Sequence, residues 1–273
     1  MTPARPQLGS RADIDAEVVA LVQAGRHIQP VQWQGRPAWL KLSVSQPPAW
    51  RYQLLAGMAR LLHQPALQPV RPQGGVAGIH NEVQRLTALA AAGLRVPQLL
   101  AHDDHWLLVS DLGHTTLESL IRHADIEVKW AHWQFGADYI HQVHQAGQYL
   151  SQAFARNLVW SSEHGLGAID FEDDPASVMS LEHAQVRDWL PYFFSTAHFF
   201  KDSLPELGRE IDSVLAQETA SVREGVYVAL RRVRWLRALR WLPRSMQRRD
   251  VLKTQCLGEL ASLCSRRTAS EQT

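Results

Sequence analysis

The hydrophobic pattern changes period repeatedly along this chain, and each change marks an element. Asp13–Ala24 carries apolar residues at helical spacing and stops at Gly25. Pro30–Trp33 and Ala38–Leu42 alternate instead with a period of two, and Gln34-Gly35-Arg36 between them predicts a hairpin turn. Trp50, Leu54, Leu55, Met58, Leu61 and Leu62 share one face of a predicted extra helix near residues 49–63, bounded by prolines on both sides. His80–Leu89 returns to helical spacing through Val83, Leu86 and Leu89. Two strands are expected next, one entered at Val96–Leu100 and one at His105–Ser110.

From there the pattern is mostly helical. Thr115–Ile121 predicts a short helix that Thr116 caps with Ser119, and Lys129–Ala146 a longer one with Trp133, Ala137, Ile140 and Val143/His144 on its inner side. One interruption matters. Asn157-Leu158-Val159-Trp160, a Ser/Glu/His/Gly turn, then Gly167-Ala168-Ile169 predict two short strands, the second ending at Asp170.

Composition adds that this is an ordered chain, 45% apolar and 20% charged over 273 residues, enough for one large domain or two lobes around a cleft. Two cysteines, Cys256 and Cys264, make neither a disulfide framework nor a metal set, which favours a reducing compartment. The N-terminal stretch has no apolar segment suited to a signal peptide, and no run approaches the roughly 18 apolar residues of a spanning helix. A cytoplasmic protein, free or peripheral on the cytoplasmic face of a membrane, is the expectation. Residues 1–10 read as a loose leader and Ser265–Thr273 as a frayed end.

The net charge of +1 hides an uneven distribution. Arg223–Arg249 holds nine arginines against one glutamate, with Trp235 and Trp241 interleaved. The pattern predicts a helix ended by Pro243, with Val226, Leu230, Val233 and Leu236 on one face. An anionic membrane surface attracts such a segment, and tryptophan rings seat at headgroup level. A core helix with a solvated basic face is the ordinary alternative. Nucleic acid is a weaker partner, because no helix-turn-helix, zinc spacing or single-strand platform accompanies the arginines.

The candidate chemistry lies in oxygen ligands. Asn157 at the mouth of one strand and Asp170 at the end of the next are hard donors suited to Mg²⁺, which shares its shell readily with phosphate. Asx residues are also common in turns. Upstream, Lys41 interrupts an apolar strand and Glu82 opens a helix. Each is ordinary alone: Lys41 as the outward residue of a half-buried strand, Glu82 as a surface acid near a helix start.

Taken in order, Lys41, Glu82, His144, Gly147, Asn157 and Asp170-Phe171 resemble the catalytic and metal loops of the protein-kinase-like superfamily. The nearest groups are the aminoglycoside and choline phosphotransferases and the lipopolysaccharide core (Kdo/heptose) kinases. The resemblance covers about residues 25 to 200. It implies an α+β, two-lobed fold with an antiparallel sheet N-lobe over 1–110 and a mostly helical C-lobe over 111–273. It implies Mg²⁺ and ATP as cofactors, with Asn157 and Asp170 holding the metal. Lys41, steadied by Glu82, would meet the α- and β-phosphates, and the main chain at Ser110 and Leu112 the adenine. His144 would pack behind the loop, and Asp188 would hydrogen-bond that loop's backbone or lie on a helix surface. Arg156 faces either a substrate anion or solvent. The implied acceptor is a small or lipid-linked sugar hydroxyl.

Two departures stand out. No glycine-rich phosphate loop is present, and Gln152 occupies the position of the catalytic aspartate, with Leu150 and Ser151 before it. A carboxamide cannot take a proton from an attacking hydroxyl. Three explanations are open: a loose transition state tolerates the loss, Asp173 or Asp174 stands in, or the chain is a pseudokinase serving as a regulatory or scaffold module.

Overall fold

The computed structural model describes residues 5–43, 74–241 and 249–270; the predicted helix near 49–63 and Pro243 lie outside them. A five-stranded sheet is built from β1 (Gln7–Leu8), β2 (Ile28–Trp33), β3 (Arg36–Leu42), β4 (Leu99–His102) and β5 (Trp106–Ser110), in the order β1-β2-β3-β5-β4. The predicted hairpin is β2–β3, paired in register from Ile28↔Lys41 to Trp33↔Arg36. Its two-residue loop needs positive φ at both positions, met by Gln34 (49°) and Gly35 (78°).

The pleat explains how this sheet builds two cores. Ala38, Leu40 and Leu42 of β3, with Trp106 and Leu108 of β5, pack under helix α1 (Arg11–Gln23) through Ile14 and Leu21. The alternate residues Leu107 and Val109 join a second core with Leu86 and Leu89 of helix α2 (Gly75–Ala91). That second core continues into the C-terminal region, where the chain is largely helical.

The first helices there are α3 (Leu117–His123) and α4 (Ile126–Gln145). Thr116 caps α3 by accepting from the Ser119 N–H at 3.2 Å. Trp133, Ala137, Ile140, Val143 and His144 are all buried on α4, as its spacing predicts. Gly147, at φ 67°, lets the chain leave α4 with Gln148 N donating to Val143 O. A three-stranded sheet, β6 (Thr115–Thr116), β7 (Leu158–Ser161) and β8 (Gly165–Ala168), contains the expected pair of short strands. Helices α5 (Leu181–Thr196), α6 (Leu204–Leu215), α7 (Ala220–Val233) and α8 (Arg249–Ser270) follow. Trp189, Tyr192 and Phe193 of α5 sit at the centre, each fully buried.

The architecture is thus mixed α+β, with an N-terminal sheet region and a largely helical C-terminal region. Four expectations need correction. The N-terminal sheet is not wholly antiparallel, because β1 runs parallel to β2, with α1 making the return. Residues 7–8 are therefore a strand and not a loose leader, and Arg5 is tied to Asp111 at 3.1 Å. The basic α-helix ends at Val233 and continues as a 3₁₀ segment over Arg234–Trp241 that packs on α8. Close approach there requires Gly258, since a Cβ would lie 2.2 Å from the Arg237 nitrogen. Finally, α8 runs on through Ser270, whereas residues 271–273 of the expected frayed end lie outside the described residues.

Candidate active site

The site begins with the strand alternation. With Leu40 and Leu42 turned toward α1, Trp39 and Lys41 point to the opposite face of β3 and into a cavity of about 390 Å³. Lys41 is therefore not the outward residue of a half-exposed strand. Its Nζ lies 2.5 Å from Oε1 of Glu82 and 3.7 Å from Oε1 of Glu172. Burial works to lower the ammonium's pKa, but the charge and hydrogen bond of Glu82, with Glu172 and Asp170 behind, outweigh it and hold Lys41 above the ordinary lysine value.

Helix α2 supplies more than Glu82. The adjacent Asn81 is buried and donates through Nδ2 to the carbonyls of Phe171 (3.4 Å) and Glu172 (3.1 Å). One turn on, Arg85 donates to Tyr149 O at 2.7 Å and to Gln148 Oε1 at 3.3 Å, its guanidinium lying over the Tyr149 ring. The sequence reading missed both residues. The available signal was three adjoining polar side chains, 81, 82 and 85, along the margin of an apolar helix face.

On the other side a 3₁₀ turn, Ala155–Asn157, delivers Asn157 to the start of β7. Ile169 N donates to Asn157 O at 2.9 Å, locking the two strand ends together. Asn157 Nδ2 donates to Gln152 O at 3.1 Å and to Asp170 Oδ2 at 3.3 Å. Both partners accept, so the amide nitrogen is fixed on that side. Asp170 itself has φ 73°, a region that short Asx side chains tolerate far better than branched ones.

The cavity gathers six of the seven predicted site residues: Lys41, Glu82, Ser110, Leu112, Asn157 and Asp170. No family model matches the chain, and no curated protein is significantly similar to it. The geometry therefore carries the functional argument. Apolar walls from Ile28, Trp39, Leu86, Val109, Val159 and Ile169 converge on one charged end. Counting Lys41 as +1 and Glu82, Asp170 and Glu172 as −1 each, that end sums to −2. Among the described residues no cluster of three or more His, Cys, Asp or Glu side chains is placed to hold a metal, and Asn157 meets Asp170 through its amide nitrogen.

At the opposite end of the cavity, Ser110 N donates to Gln98 O and Ser110 Oγ accepts from Gln98 N, which commits the nitrogen and one lone pair of the hydroxyl. Leu112 O accepts from Arg95 Nη2 at 3.0 Å and keeps a second lone pair. Arg95 also donates to Val159 O and Gly165 O, stitching this corner to the β7–β8 hairpin. Nothing in its sequence context singled it out.

Gln152 lies outside the cavity lining, on the loop that follows α4. Ser151 before it has φ 74°. The loop is anchored from below. Asp188 is fully buried and accepts from Leu150 N at 2.6 Å, so it is not a surface residue. His144 is buried between Asp188 Oδ2 (3.3 Å) and Glu218 Oε1 (2.9 Å) as a satisfied core histidine. Arg156 is exposed and lies over the Phe154 ring. Arg231, Arg232, Arg234, Arg237 and Arg240 are exposed, as are Trp235 (50%) and Trp241 (78%). Among the described residues no helix is long and apolar enough to cross a membrane.

Proposed function

We propose that this chain is an ATP-dependent phosphotransferase acting on a hydroxyl of a small or lipid-linked sugar, in the manner of the lipopolysaccharide core kinases it resembles. One observation carries the reading. Lys41, Glu82, Asn157 and Asp170 come from four separate segments and meet at the charged end of one apolar cavity.

The residues present fit a nucleotide with its metal. The apolar walls suit a purine and the cavity volume lies within the range of small-ligand sites. The charged end, at −2, would repel a bare polyphosphate. A divalent cation held by Asn157 and Asp170 would cancel that charge, so the site would take phosphate only together with the cation. When bound, Mg·ATP supplies the phosphoryl group and neutralises the charge that develops during its transfer. The protein's part is placement: Lys41, held ionised by three carboxylates, meets phosphate oxygens, while Glu82 fixes its direction.

The exposed arginines and tryptophans beyond α7 support an acceptor at an anionic membrane surface. A second reading, a pseudokinase scaffold that binds nucleotide without transfer, is favoured by the carboxamide at Gln152. Calorimetry with ATP, with and without Mg²⁺, tests the first requirement, followed by a search for the phosphorylated sugar acceptor. Tight binding only with Mg²⁺ is expected. Absence of nucleotide binding under both conditions removes both readings.

A further inference from the structure

We infer that the cleft between α4 and the β7–β8 hairpin is a binding site for a neutral sugar ring, separate from the cavity that holds Lys41 and Asp170. Phe135 and Trp160 form its stacking platform, and Asp138 and Gln142 bind the ring's hydroxyls.

The two sites lie on opposite faces of one hairpin. Val159 of β7 faces the Lys41 cavity, and strand alternation turns its neighbour Trp160, with the cross-strand partner Leu166, into the cleft. The cleft measures about 400 Å³, within the range of small-ligand sites. Sugar binding there needs neither ATP nor Mg²⁺, so its fate is separate from that of the phosphotransferase reading.

Helix α4 supplies one wall. Its inner side, from Trp133 to Val143, is packed into the core. Phe135, Asp138 and Gln142 recur instead at i, i+3 and i+7 along a different face and open into the cleft. Phe135 stays 41% exposed, and its ring stacks on Trp160 with centroids 5.5 Å apart and planes 6° from parallel. Two offset rings that brace each other make a preformed apolar platform.

The floor is tied at several points. Arg95 donates through Nη1 to Val159 O and Gly165 O and through Nη2 to Leu112 O. Its own carbonyl accepts from the Tyr139 hydroxyl at 2.9 Å and from Ala168 N at 3.0 Å. Gly167 permits that close approach, since a Cβ there would lie 2.7 Å from Arg95 O.

The polar groups choose among ligands by their chemistry. Asp138 Oδ1 accepts from Gln134 Nε2 at 2.7 Å, which leaves Oδ2 and the Gln142 amide uncommitted among the described residues. A phosphate would meet the Asp138 carboxylate, while both Nη atoms of Arg95 already serve carbonyls. An apolar segment would cover Asp138 and Gln142 without pairing them, which is costly. A sugar ring satisfies both kinds of surface. Its C–H face lies on aromatic carbon, and its hydroxyls, each donor and acceptor, suit the acceptor-only Asp138 and the two-way amide of Gln142.

The test titrates the full-length protein, free of nucleotide, with the methyl glycosides of glucose, galactose and mannose, reading affinity and ring contacts by saturation-transfer NMR. At least one should bind saturably, with a dissociation constant on the order of 1 mM for so small a ligand. Phe135→Ala should weaken it roughly 2–10-fold, the worth of an aromatic contact, and Phe135→Tyr should not. Asp138→Ala should weaken it roughly tenfold or more, because a hydrogen bond to a charged group is lost. Both side chains are exposed, so the melting temperature should hardly change, and Mg·ATP affinity should equal that of wild type. No saturable binding by any of the three glycosides, or binding indifferent to both alanine variants, overturns the site. So does sugar binding that saturating Mg·ADP displaces, which would place the ring in the Lys41 cavity. Dimerisation in sedimentation that Phe135→Ala abolishes would give the cleft to a second copy of the chain and overturn it too. A protein that binds sugar with the expected dependences but binds no nucleotide keeps this site and loses the phosphotransferase reading alone.

Discussion

The Lys41–Glu82 pair allows stability and nucleotide capture to be separated in a single experiment. Lys41 and Glu82 side chains are 16% and 7% exposed, and Asp170 and Glu172 crowd the same ammonium. Lys41→Met keeps the volume and deletes the one cation that the described residues bring to this charged end, stranding a buried carboxylate beside two others. Breaking a buried pair from one side typically costs about 3–5 kcal/mol. Glu82→Leu is predicted to cost less, about 1–3 kcal/mol, because Lys41 keeps Glu172 at 3.7 Å as a counter-charge. The double variant should be less destabilised than Lys41→Met alone, since replacing both charges by apolar groups is often near neutral. The cycle should therefore show a favourable coupling of about 2 kcal/mol or more. Denaturant unfolding gives the stabilities and calorimetry the Mg·ATP affinities. The double variant should be folded and unable to bind. Additive effects on unfolding would show that the two groups are neighbours without being partners, and normal Mg·ATP affinity in the double variant would sink the capture role.

Asp170→Asn keeps a residue that tolerates φ 73° and should change stability little, while weakening Mg²⁺-dependent nucleotide binding at least about tenfold; equal affinity in calorimetry would remove Asp170 from the metal. Asp170→Val should in addition lose about 1–2 kcal/mol of stability, read by denaturant unfolding, because a branched side chain is strained there. Burial lowers the His144 pKa, but Asp188 and Glu218 outweigh it and raise it above the ordinary value. Its contribution to stability is thus complete below about pH 6.5 and lost as pH rises through the higher folded value, so the melting temperature should fall on the alkaline side, with a shallower slope in His144→Gln. A slope identical in the variant refutes that origin. Binding to anionic vesicles should be strong at low salt and decline steeply as salt rises, each near-surface arginine contributing about 1 kcal/mol, and neutral vesicles should bind far less. Equal binding to both would leave the arginines as solvated surface.

What could be read from the sequence was local. The β2–β3 hairpin follows from alternation plus Gln34-Gly35, the α3 cap from Thr116 and Ser119, and the inner face of α4 from Trp133 to Val143; each depends on neighbours within a few residues. The positions of Asn157 and Asp170 at adjacent strand ends were also legible, because short strands and tight turns restrict where a chain can go. What was missed depends on partners far along the chain. β1 gains its strand character by parallel pairing with residues 32 and 33, beyond α1. Asn81 and Arg95 bond to backbone carbonyls, which every residue possesses and no sequence pattern marks. The pattern of the basic segment predicts one continuous helix, but its geometry changes where packing against α8 at Gly258 sets the backbone's path.

Helix α2 touches the lysine strand through Glu82, the segment after Asp170 through Asn81, and the approach to Gln152 through Arg85. These three anchor points span four residues, a rise of about 6 Å along one rigid axis. The spacing between the lysine strand, the segment after Asp170 and the loop that carries Gln152 is therefore measured by a single ruler. A slip of α2 by one residue, about 1.5 Å, would put all three out of alignment together, and no adjustment in the sheet alone could restore one without the others.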